Sequence, residues 1–294
     1  MLFFNRALRY IDPMLIVSDL DGTLLSKKIP LSDRNRQSFE KARSLGGICA
    51  IATGRSLFGV TEDLDPGFPI DYLIFSSGSG IYDWQKKNLL HQYSLNTPQV
   101  EEVFHYLESF STLKPALDFT IQLEAPHSHR FVFSPENPSN SDFVARLKYH
   151  QNHGAPLNRK NLPQSASEFI IVQPKETGSQ VFEKMRQDLG DQYNVVRATS
   201  PIDGQSVWIE IFHSKASKAN AADWIRTRHL LPKATTFALG NDYNDLQLLG
   251  WAENPLVVGD AVPELLEKFE AVTEHSNSAL AHALEIWLKK LPGK

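Results

Sequence analysis

The chain has 294 residues, of which 41% are hydrophobic and 22% charged, so it can form one large globular domain or two ordinary ones. Its formal net charge of −4 excludes the strongly basic character typical of proteins that bind nucleic acid or anionic membrane surfaces. No apolar stretch approaches the ~20 residues of a membrane-spanning helix, so we expect neither nucleic acid nor a membrane as a partner.

The chain contains one cysteine, Cys49, inside the apolar run Ile48–Ala52. A single cysteine cannot form an intramolecular disulfide, and its apolar neighbours predict a buried, inert thiol. The single cysteine fits a reducing compartment, so we expect a cytoplasmic protein. We also expect a monomer or a weak homodimer. Residues 1–13 are too short and too broken for a signal peptide. They form either a mild amphipathic extension or a segment that precedes a functional start at Met14.

The first predicted strand ends in two carboxylates. Residues 15–18 form a short apolar run without polar alternation, and Asp19, Asp21, Gly22 and Thr23 follow it. Such a run is typical of a buried parallel strand, and ligands of open α/β sheets bind at the carboxyl ends of the strands. Strand geometry would point Asp19 and Asp21 the same way, so their repulsion predicts a bound cation. The alternative is a surface turn rich in Asp and Gly.

A second strand also ends in small polar residues. Ser32 would cap a helix that runs to about residue 45, and a strand at residues 48–52 follows it. A strand, a helix and a parallel strand form a right-handed crossover. Thr53 and Gly54 then lie on the ligand side, where a hydroxyl and free helix amides suit a phosphate. The alternative is an ordinary capping turn.

The pattern of elements changes between residues 85 and 213. The third strand, at residues 72–75, precedes this segment, in which helices alternate with paired strands. The predicted helices begin at Thr97, Ser141 and Thr177, and the predicted strands cover residues 117–123, 130–133, 169–173, 194–198 and 207–212.

The last part of the chain again alternates helices and strands. Lys218 lies at the start of a helix, where a positive charge opposes the helix dipole. We therefore expect it to face a phosphate or carboxylates, although a solvated lysine and a role for Lys215 are alternatives. A strand at residues 236–239 ends in a polar run, residues 240–245. The later elements are a strand at 255–258, a helix at 263–268, a short strand through Val272 and a helix at 278–291.

The motifs at these strand ends, taken in order, resemble those of the haloacid dehalogenase (HAD) superfamily. Residues Asp19 to Thr23 have the form Asp-x-Asp-Gly-Thr of its first motif, and Thr53 matches the hydroxyl residue of the second. Lys218 matches the lysine of the third motif, and residues 240–245 are similar to the Gly-Asp-x-x-Asn-Asp pattern of the fourth. The Thr-Gly-Arg form of the second motif resembles subfamily IIB, the Cof-like branch.

This resemblance implies an α/β fold with two parts. Residues 1–84 and 214–294 would form a Rossmann-like core with a doubly wound parallel sheet. Residues 85–213 would form an inserted α/β cap domain of type C2B that covers the active site. Four polar cap residues could face the substrate: His127, His129, Arg130 and Arg146.

Most members of the superfamily are Mg²⁺-dependent phosphohydrolases, and the resemblance implies the same chemistry here. Asp19 would attack the phosphorus of a small phosphorylated metabolite, expected to be a sugar phosphate, and form an aspartyl phosphate. Asp21 would serve as general acid for the leaving group and then as general base for water. Thr53, Gly54 and Lys218 would hold the phosphate.

The implied metal site departs from the family pattern. The residues that would surround Mg²⁺ are Asp19, Asp21, Asn241, Asp242 and Asp245. Asn241 stands where the family has a metal-binding Asp, which removes one negative charge. Asp242 could supply the missing carboxylate, and which of Asn241, Asp242 and Asp245 binds the ion directly stays open. Asn244 matches the motif, whereas Ser77 stands where Cof-like proteins have Asn.

Two other functions are compatible with the sequence. A phosphosugar mutase would return the phosphoryl group to a sugar and yield an isomeric sugar phosphate. A non-catalytic module that binds phosphate ligands is motivated by Asn241. The product of the reaction tests the first alternative, and the formation of an aspartyl phosphate tests the second.

Overall fold

The computed structural model describes residues 13–110, 117–123 and 130–290. In chain order its strands are β1 (Leu15–Ser18), β2 (Ile48–Ala52), β3 (Tyr72–Phe75), β4 (Gly80–Asp83), β5 (Asn88–Gln92), β6 (Leu95–Asn96), β7 (Asp118–Leu123), β8 (Phe131–Ser134), β9 (Gly154–Pro156), β10 (Ser165–Gln173), β11 (Tyr193–Thr199), β12 (Val207–His213), β13 (Thr236–Gly240) and β14 (Asn254–Val257). Its α-helices are α1 (Asp33–Ser44), α2 (Leu57–Asp63), α3 (Thr97–Phe110), α4 (Ser141–Tyr149), α5 (Lys175–Leu189), α6 (Lys218–Arg228), α7 (Leu246–Trp251), α8 (Pro263–Lys268) and α9 (Ala279–Lys290).

The first sheet carries the motifs found in the sequence. Its strand order is β14-β13-β1-β2-β3-β4-β5, and the strands from β14 to β3 run parallel. β1 is buried along its whole length, and its two edges pair with β2 and β13. Helix α1 packs against β2 and α9, whereas α6 packs against β3 and α7. The predicted Rossmann-like, doubly wound α/β class is confirmed.

The parallel register gathers the motifs at one edge of this sheet. Val17 of β1 lies between Ala50 of β2 and Ala238 of β13. The carboxyl ends of these three strands therefore meet side by side, and the loops that follow them are neighbours in space.

The second sheet has two different faces. Its strand order is β11-β12-β10-β7-β8-β9, and β6 pairs with β10. One face carries apolar side chains such as Phe169 and Ile171, which pack with Met185 of α5 and Leu107 of α3. The opposite face carries α4, whose Phe143 packs with a small apolar cluster, and several buried polar side chains. Successive residues of a strand point to opposite faces, so β10 contributes to both.

Several predicted elements differ from the observed ones. β5 lies in residues assigned to the cap, yet it pairs with β4 in the first sheet. We therefore propose that the core continues to Gln92. The predicted short strand through Val272 is reduced to a single parallel bridge between Val257 and Ala271, where Val272 N donates to Val257 O at 2.8 Å. The predictions for residues 1–12, His127, His129 and Leu291 concern positions outside the described residues.

The prediction of a buried, inert cysteine has a structural counterpart. Cys49 is fully buried, and burial raises the pKa of its thiol, in agreement with an inert core residue. Across the described ranges, no helix is both long and apolar enough to cross a membrane.

Candidate active site

Asp19 follows β1 and is the most deeply placed carboxylate of the first motif. Its side chain is 5% exposed, and its backbone amide donates to Leu239 O of β13 at 2.8 Å. Lys218 Nζ donates to Asp19 Oδ1 at 2.7 Å, whereas Oδ2 is buried without a hydrogen-bond partner among the described residues. Burial and the nearby Asp245 raise the Asp19 pKa to about 8, although Lys218 opposes this shift.

Lys218 lies between two carboxylates. Its ammonium donates to Asp19 Oδ1 and to Asp245 Oδ1, both at 2.7 Å, and its side chain is 1% exposed. Burial alone would lower the Lys218 pKa, but the two carboxylates outweigh it and raise the pKa above its usual value. The side chain reaches this position because Ser217 caps α6 by accepting from Asn220 N, which fixes the first turn of the helix. Lys218 was expected to face a phosphate or carboxylates, and in the structure it faces two carboxylates.

Asp245 organises the loop after β13. While Oδ1 accepts from Lys218, Oδ2 accepts from the backbone amides of Asn241 at 2.9 Å and Asp242 at 3.2 Å. Gly240 is required beside it, since a Cβ there would lie 2.7 Å from Asp245 Cβ and Cγ. Asn241 Oδ1 in turn accepts from the hydroxyl of Thr23 at 3.2 Å, so the first and fourth motifs are joined.

Asp21 does not lie against Asp19 in the way the sequence predicts. The Arg55 guanidinium donates two hydrogen bonds to its carboxylate, from Nε to Oδ2 at 2.7 Å and from Nη2 to Oδ1 at 2.6 Å. Arg55 also donates to Asp63 of α2. The Asp21 side chain is 38% exposed, so it lies at the mouth of the site, not at its base.

The second motif forms a narrow loop after β2. Thr53 is buried, its amide donates to Ile74 O, and its hydroxyl accepts from Arg55 N at 3.1 Å. Gly54 leaves open a space bordered by other residues of the site, because a Cβ there would lie 3.6 Å from Ser77 Oγ and from Asn244 Nδ2. The structure thus brings Asn244 and Gly54 together.

Asp242 points toward the second sheet. Its Oδ2 accepts from Thr199 N at 2.7 Å and its Oδ1 from Thr199 Oγ1 at 3.0 Å, at the end of β11. Burial raises the Asp242 pKa, whereas these hydrogen bonds oppose the shift. The residue therefore links the two sheets through its carboxylate.

The haloacid dehalogenase-like hydrolase family matches residues 16–284 of the chain. The chain belongs to this family. The HAD match covers both motif-bearing segments of the first sheet and the whole segment between them, so the predicted HAD-type, Cof-like hydrolase is confirmed.

Relatives of this HAD chain align along nearly its whole length. YxeH of Bacillus subtilis is 25% identical over 92% of this chain and 96% of its own. The HMP-PP phosphatase of Cronobacter sakazakii is 25% identical over 92% of this chain and 94% of its own. Among solved structures, the HAD subclass IIB sugar phosphatase BT4131 has a TM-score of 0.68 at 16% identity and covers 93% of this chain and 98% of its own. This last likeness supports the fold.

Among the residues described, the HAD site offers only a few protein ligands, and these fit a Mg²⁺ ion that keeps several waters. No cluster of three or more His, Cys, Asp or Glu side chains in the described ranges has the arrangement of a metal site. Mg²⁺, however, binds through one or two carboxylates and keeps several waters. Asp19 Oδ2 is a buried carboxylate oxygen without a protein donor, and Asn241 supplies an amide oxygen. These two groups suit a hydrated Mg²⁺.

Glu210 is a residue at this HAD site that the sequence reading missed. It lies on β12 of the second sheet, is buried, and accepts from Ser77 Oγ at 3.1 Å. Its Oε1 lies 4.0 Å from the point that a Cβ on Gly54 would occupy. Burial raises the Glu210 pKa to about 7, and the hydrogen bond from Ser77 opposes the shift. The available signal was a glutamate in the middle of an otherwise apolar strand.

Proposed function

We propose that the chain hydrolyses the monophosphate ester of a small metabolite, with Mg²⁺ as cofactor and a sugar phosphate as substrate. That it is a HAD-type phosphatase follows from its family and from full-length relatives with that name. The observation that carries the finer proposal is the buried Asp19 at the end of β1. One of its carboxylate oxygens is held by Lys218, and the other has no partner among the described residues.

Asp19 is the nucleophile in this proposal. The contact between Lys218 Nζ and Oδ1 fixes the carboxylate in the position from which it attacks phosphorus. Asp245 holds the Lys218 ammonium from the other side, which prevents it from rotating away. Attack forms a bond from the Asp19 carboxylate to phosphorus and breaks the bond from phosphorus to the leaving oxygen, and water then hydrolyses the aspartyl phosphate.

Asp21 is the proton donor and acceptor in this proposal. Both of its oxygens are bound by Arg55, so one of these hydrogen bonds has to be released before a proton can move to the leaving oxygen. The exposure of Asp21 at the mouth of the site allows this movement. Arg55 therefore acts as a positioning residue for the second carboxylate.

The phosphate oxygens are held by the loop after β2 and by Lys218. The Thr53 hydroxyl and the Gly54 amide lie at the carboxyl edge of the sheet, next to the start of α2. Mg²⁺ would be held by the Asp19 carboxylate, the Asp21 backbone carbonyl and the Asn241 amide oxygen. When bound, the ion supplies positive charge that favours the ionised nucleophile and neutralises the phosphate. We leave Asp242 out of this set because its carboxylate points toward Thr199 of the second sheet.

The substrate class is supported by the names of relatives. A related protein acts on HMP-PP, two others are named as phosphatases of 5-amino-6-(5-phospho-D-ribitylamino)uracil, and the subclass IIB neighbour is a sugar phosphatase. All of these names describe small phosphorylated molecules. The cytoplasmic location and the monomeric or weakly dimeric state stay predictions.

The test is phosphate release from a panel of sugar phosphates, nucleotides and pyridoxal phosphate, with and without Mg²⁺. We expect turnover that requires Mg²⁺ and that Asp19→Asn abolishes. Formation of an isomeric sugar phosphate without free phosphate would favour the mutase. Absence of turnover on every compound by a folded protein would favour the non-catalytic module motivated by Asn241.

A further inference from the structure

The inner face of the second sheet carries buried polar groups that the proposed chemistry does not use. Glu210 pairs with Ile170 across β12 and β10, and Glu168 lies two residues from Ile170 on β10. Glu168 and Glu210 therefore occupy the same face as diagonal neighbours, about 7–8 Å apart at their Cα atoms. Both side chains are at most 5% exposed.

Two more polar side chains extend this face away from Glu210. Gln122 of β7 pairs directly with Glu168, and Thr120 pairs with Ile170. Both are buried, and neither Gln122 Oε1 nor the Thr120 hydroxyl has a hydrogen-bond partner among the described residues. Glu168 Oε2 is also buried without a hydrogen-bond partner among the described residues. Three oxygens on one face thus require hydrogen-bond donors.

Arg146 of α4 covers this face. Its guanidinium carbon lies 4.8 Å from the ring centre of Trp208 and 5.5 Å from that of Phe131. Trp208 and Phe131 belong to the same face, since Trp208 precedes Glu210 by two residues and Phe131 pairs with Gln122. Arg146 is buried, and its Nε has no hydrogen-bond partner among the described residues. We call the set Arg146, Glu168, Glu210, Gln122 and Thr120 the cap-face cluster.

The cap-face cluster begins at the phosphate loop. Glu210 accepts from Ser77 Oγ, and Ser77 N donates to Thr53 O at 2.9 Å. A group attached to a phosphate at Thr53 and Gly54 would therefore extend past Glu210 toward Glu168. Buried polar groups are normally paired, so unpaired ones next to a catalytic site point to a ligand that completes them.

The chemistry of the cap-face cluster identifies this ligand. Most of the unpaired atoms are acceptors, which need hydroxyl or amino donors, and the Arg146 Nε needs an acceptor such as a hydroxyl oxygen. The two glutamates outweigh the one arginine, so the formal charge is −1. Burial and the charge of Glu210 raise the Glu168 pKa, which shows how poorly this face accommodates a further negative charge.

We infer that the cap-face cluster binds a polyhydroxylated leaving group and excludes a leaving group that carries a second anionic group. Glu168 and Gln122 accept hydrogen bonds from substrate hydroxyls, and Arg146 donates one to a hydroxyl oxygen. An ionised carboxylate or second phosphate has no donors to offer and meets two glutamates, and the positive charge of Arg146 already interacts with Glu168, Glu210 and Asp142. This inference rests on the proposed phosphatase function, because it assigns the part of the same site that binds the leaving group.

The test compares substrates with the same carbon skeleton, in which one terminal carbon is either an alcohol or aldehyde carbon or is oxidised to a carboxylate. The first pair is glycerol 3-phosphate and 3-phosphoglycerate, and the second is glucose 6-phosphate and 6-phosphogluconate. We expect kcat/KM to favour the hydroxylated member of at least one pair by roughly tenfold or more. Equal values, or a preference for the carboxylate members, would overturn the inference.

Variants locate the effect. Glu168→Gln is isosteric and removes one negative charge, so the preference for the hydroxylated member should fall severalfold. Thr120→Val removes a hydroxyl that has no partner among the described residues, so it should keep the fold and lower kcat/KM for the hydroxylated compounds. The control is Glu183→Gln on the exposed side of α5, which should leave the preference unchanged. An identical preference in Glu168→Gln and in the control would exclude Glu168 from specificity.

A generic substrate separates failure of this inference from failure of the proposed function. If p-nitrophenyl phosphate is hydrolysed in an Asp19-dependent reaction but no hydroxylated compound is preferred, only the inference is wrong. If neither p-nitrophenyl phosphate nor any compound of the panel is hydrolysed, the proposed function fails. Calorimetric binding of the same two pairs to the wild-type protein then decides the inference, because tighter binding of the hydroxylated members supports it and any other order contradicts it.

Discussion

Replacement of Lys218 by methionine removes the charge that joins Asp19 to Asp245. Lys218→Met keeps the length and apolar stem of the side chain, so the main change is the loss of the ammonium group. In the wild type this ammonium donates to both carboxylates at 2.7 Å and is almost completely buried. The variant keeps two buried carboxylates without their shared counter-charge.

The cost of this change follows from burial. Removing one partner of a buried ion pair typically costs about 3–5 kcal/mol, because the remaining charge is left without compensation. Loss of a preorganised donor at the reacting group lowers kcat by roughly 10²–10³-fold. We therefore expect Lys218→Met to lose about 3–5 kcal/mol of the free energy of unfolding at pH 8, together with nearly all activity.

The stability loss should depend on pH with a definite sign. Burial and Asp245 raise the folded-state Asp19 pKa from 3.8 to about 8. The folded wild type thus holds a proton that the unfolded chain releases above about pH 4, so this residue lowers stability as pH rises toward 8. In the variant, a further proton has to bind one of the two carboxylates to compensate for the missing ammonium charge. The loss in free energy of unfolding relative to the wild type therefore grows by about 1.4 kcal/mol for each unit of rising pH. The loss should therefore shrink toward pH 5.

The assay is urea unfolding followed by circular dichroism at pH 5 and pH 8, without added metal. The matched control is Lys184→Met, because Lys184 forms an exposed ion pair with Asp188 at 2.9 Å on α5. An exposed pair contributes about 0–1 kcal/mol, so the control should change little at either pH. A loss below 1 kcal/mol for Lys218→Met at pH 8, or an equal loss at both pH values, would refute the reasoning.

Three further predictions concern the loops around the site. Gly22 has a φ of +77°, and a Cβ there would lie 2.2 Å from Asn241 Nδ2. Gly22→Ala should therefore lower the free energy of unfolding by about 1–3 kcal/mol, measured by heat or urea, and weaken activation by Mg²⁺. Gly46→Ala is its control, since Gly46 has a φ of +84° with nothing within 4 Å, and Mg²⁺ dependence should not change. Asn241→Asp adds the carboxylate that the family pattern contains, so the Mg²⁺ concentration for half-maximal phosphate release should fall severalfold, and an unchanged value would place Asn241 outside the ion's contacts. Thr199→Val removes the hydroxyl that donates to Asp242 at 3.0 Å, so urea unfolding should show a loss of about 0.5–1.5 kcal/mol and KM should change more than kcat. A change confined to kcat would argue against a role of this contact in docking the second sheet.

The sequence predicts the core strands well because each is a short apolar run bounded by turn residues. β2 and β3 have the predicted bounds, and α1 begins after Ser32, whose hydroxyl accepts from Asn35 N as expected. β5 was missed because it is half-exposed and contains polar side chains, so its apolar pattern is weak. Its place in the first sheet depends on pairing with β4, which no local pattern encodes.

The contacts of the candidate site were predictable only in part. The sequence places Asp19 and Lys218 in their motifs, and the structure brings them to 2.7 Å. The pairing of Asp21 with Arg55 spans 34 residues of chain and depends on the conformation of two loops. Glu210 comes from the second sheet, and its approach to Ser77 depends on how that sheet packs on the first. Such contacts arise from tertiary packing, which periodicity does not reveal.

The most direct test of the central claim is a search for the phosphorylated residue during turnover. The reaction with Mg²⁺ and the best substrate of the panel is quenched in acid within the first turnover, and the digested protein is analysed by mass spectrometry. We predict one phosphoryl group on the peptide that contains Asp19, and none in the Asp19→Asn variant. Phosphate release without a labelled Asp19 peptide, or a phosphoryl group on another residue, would contradict it.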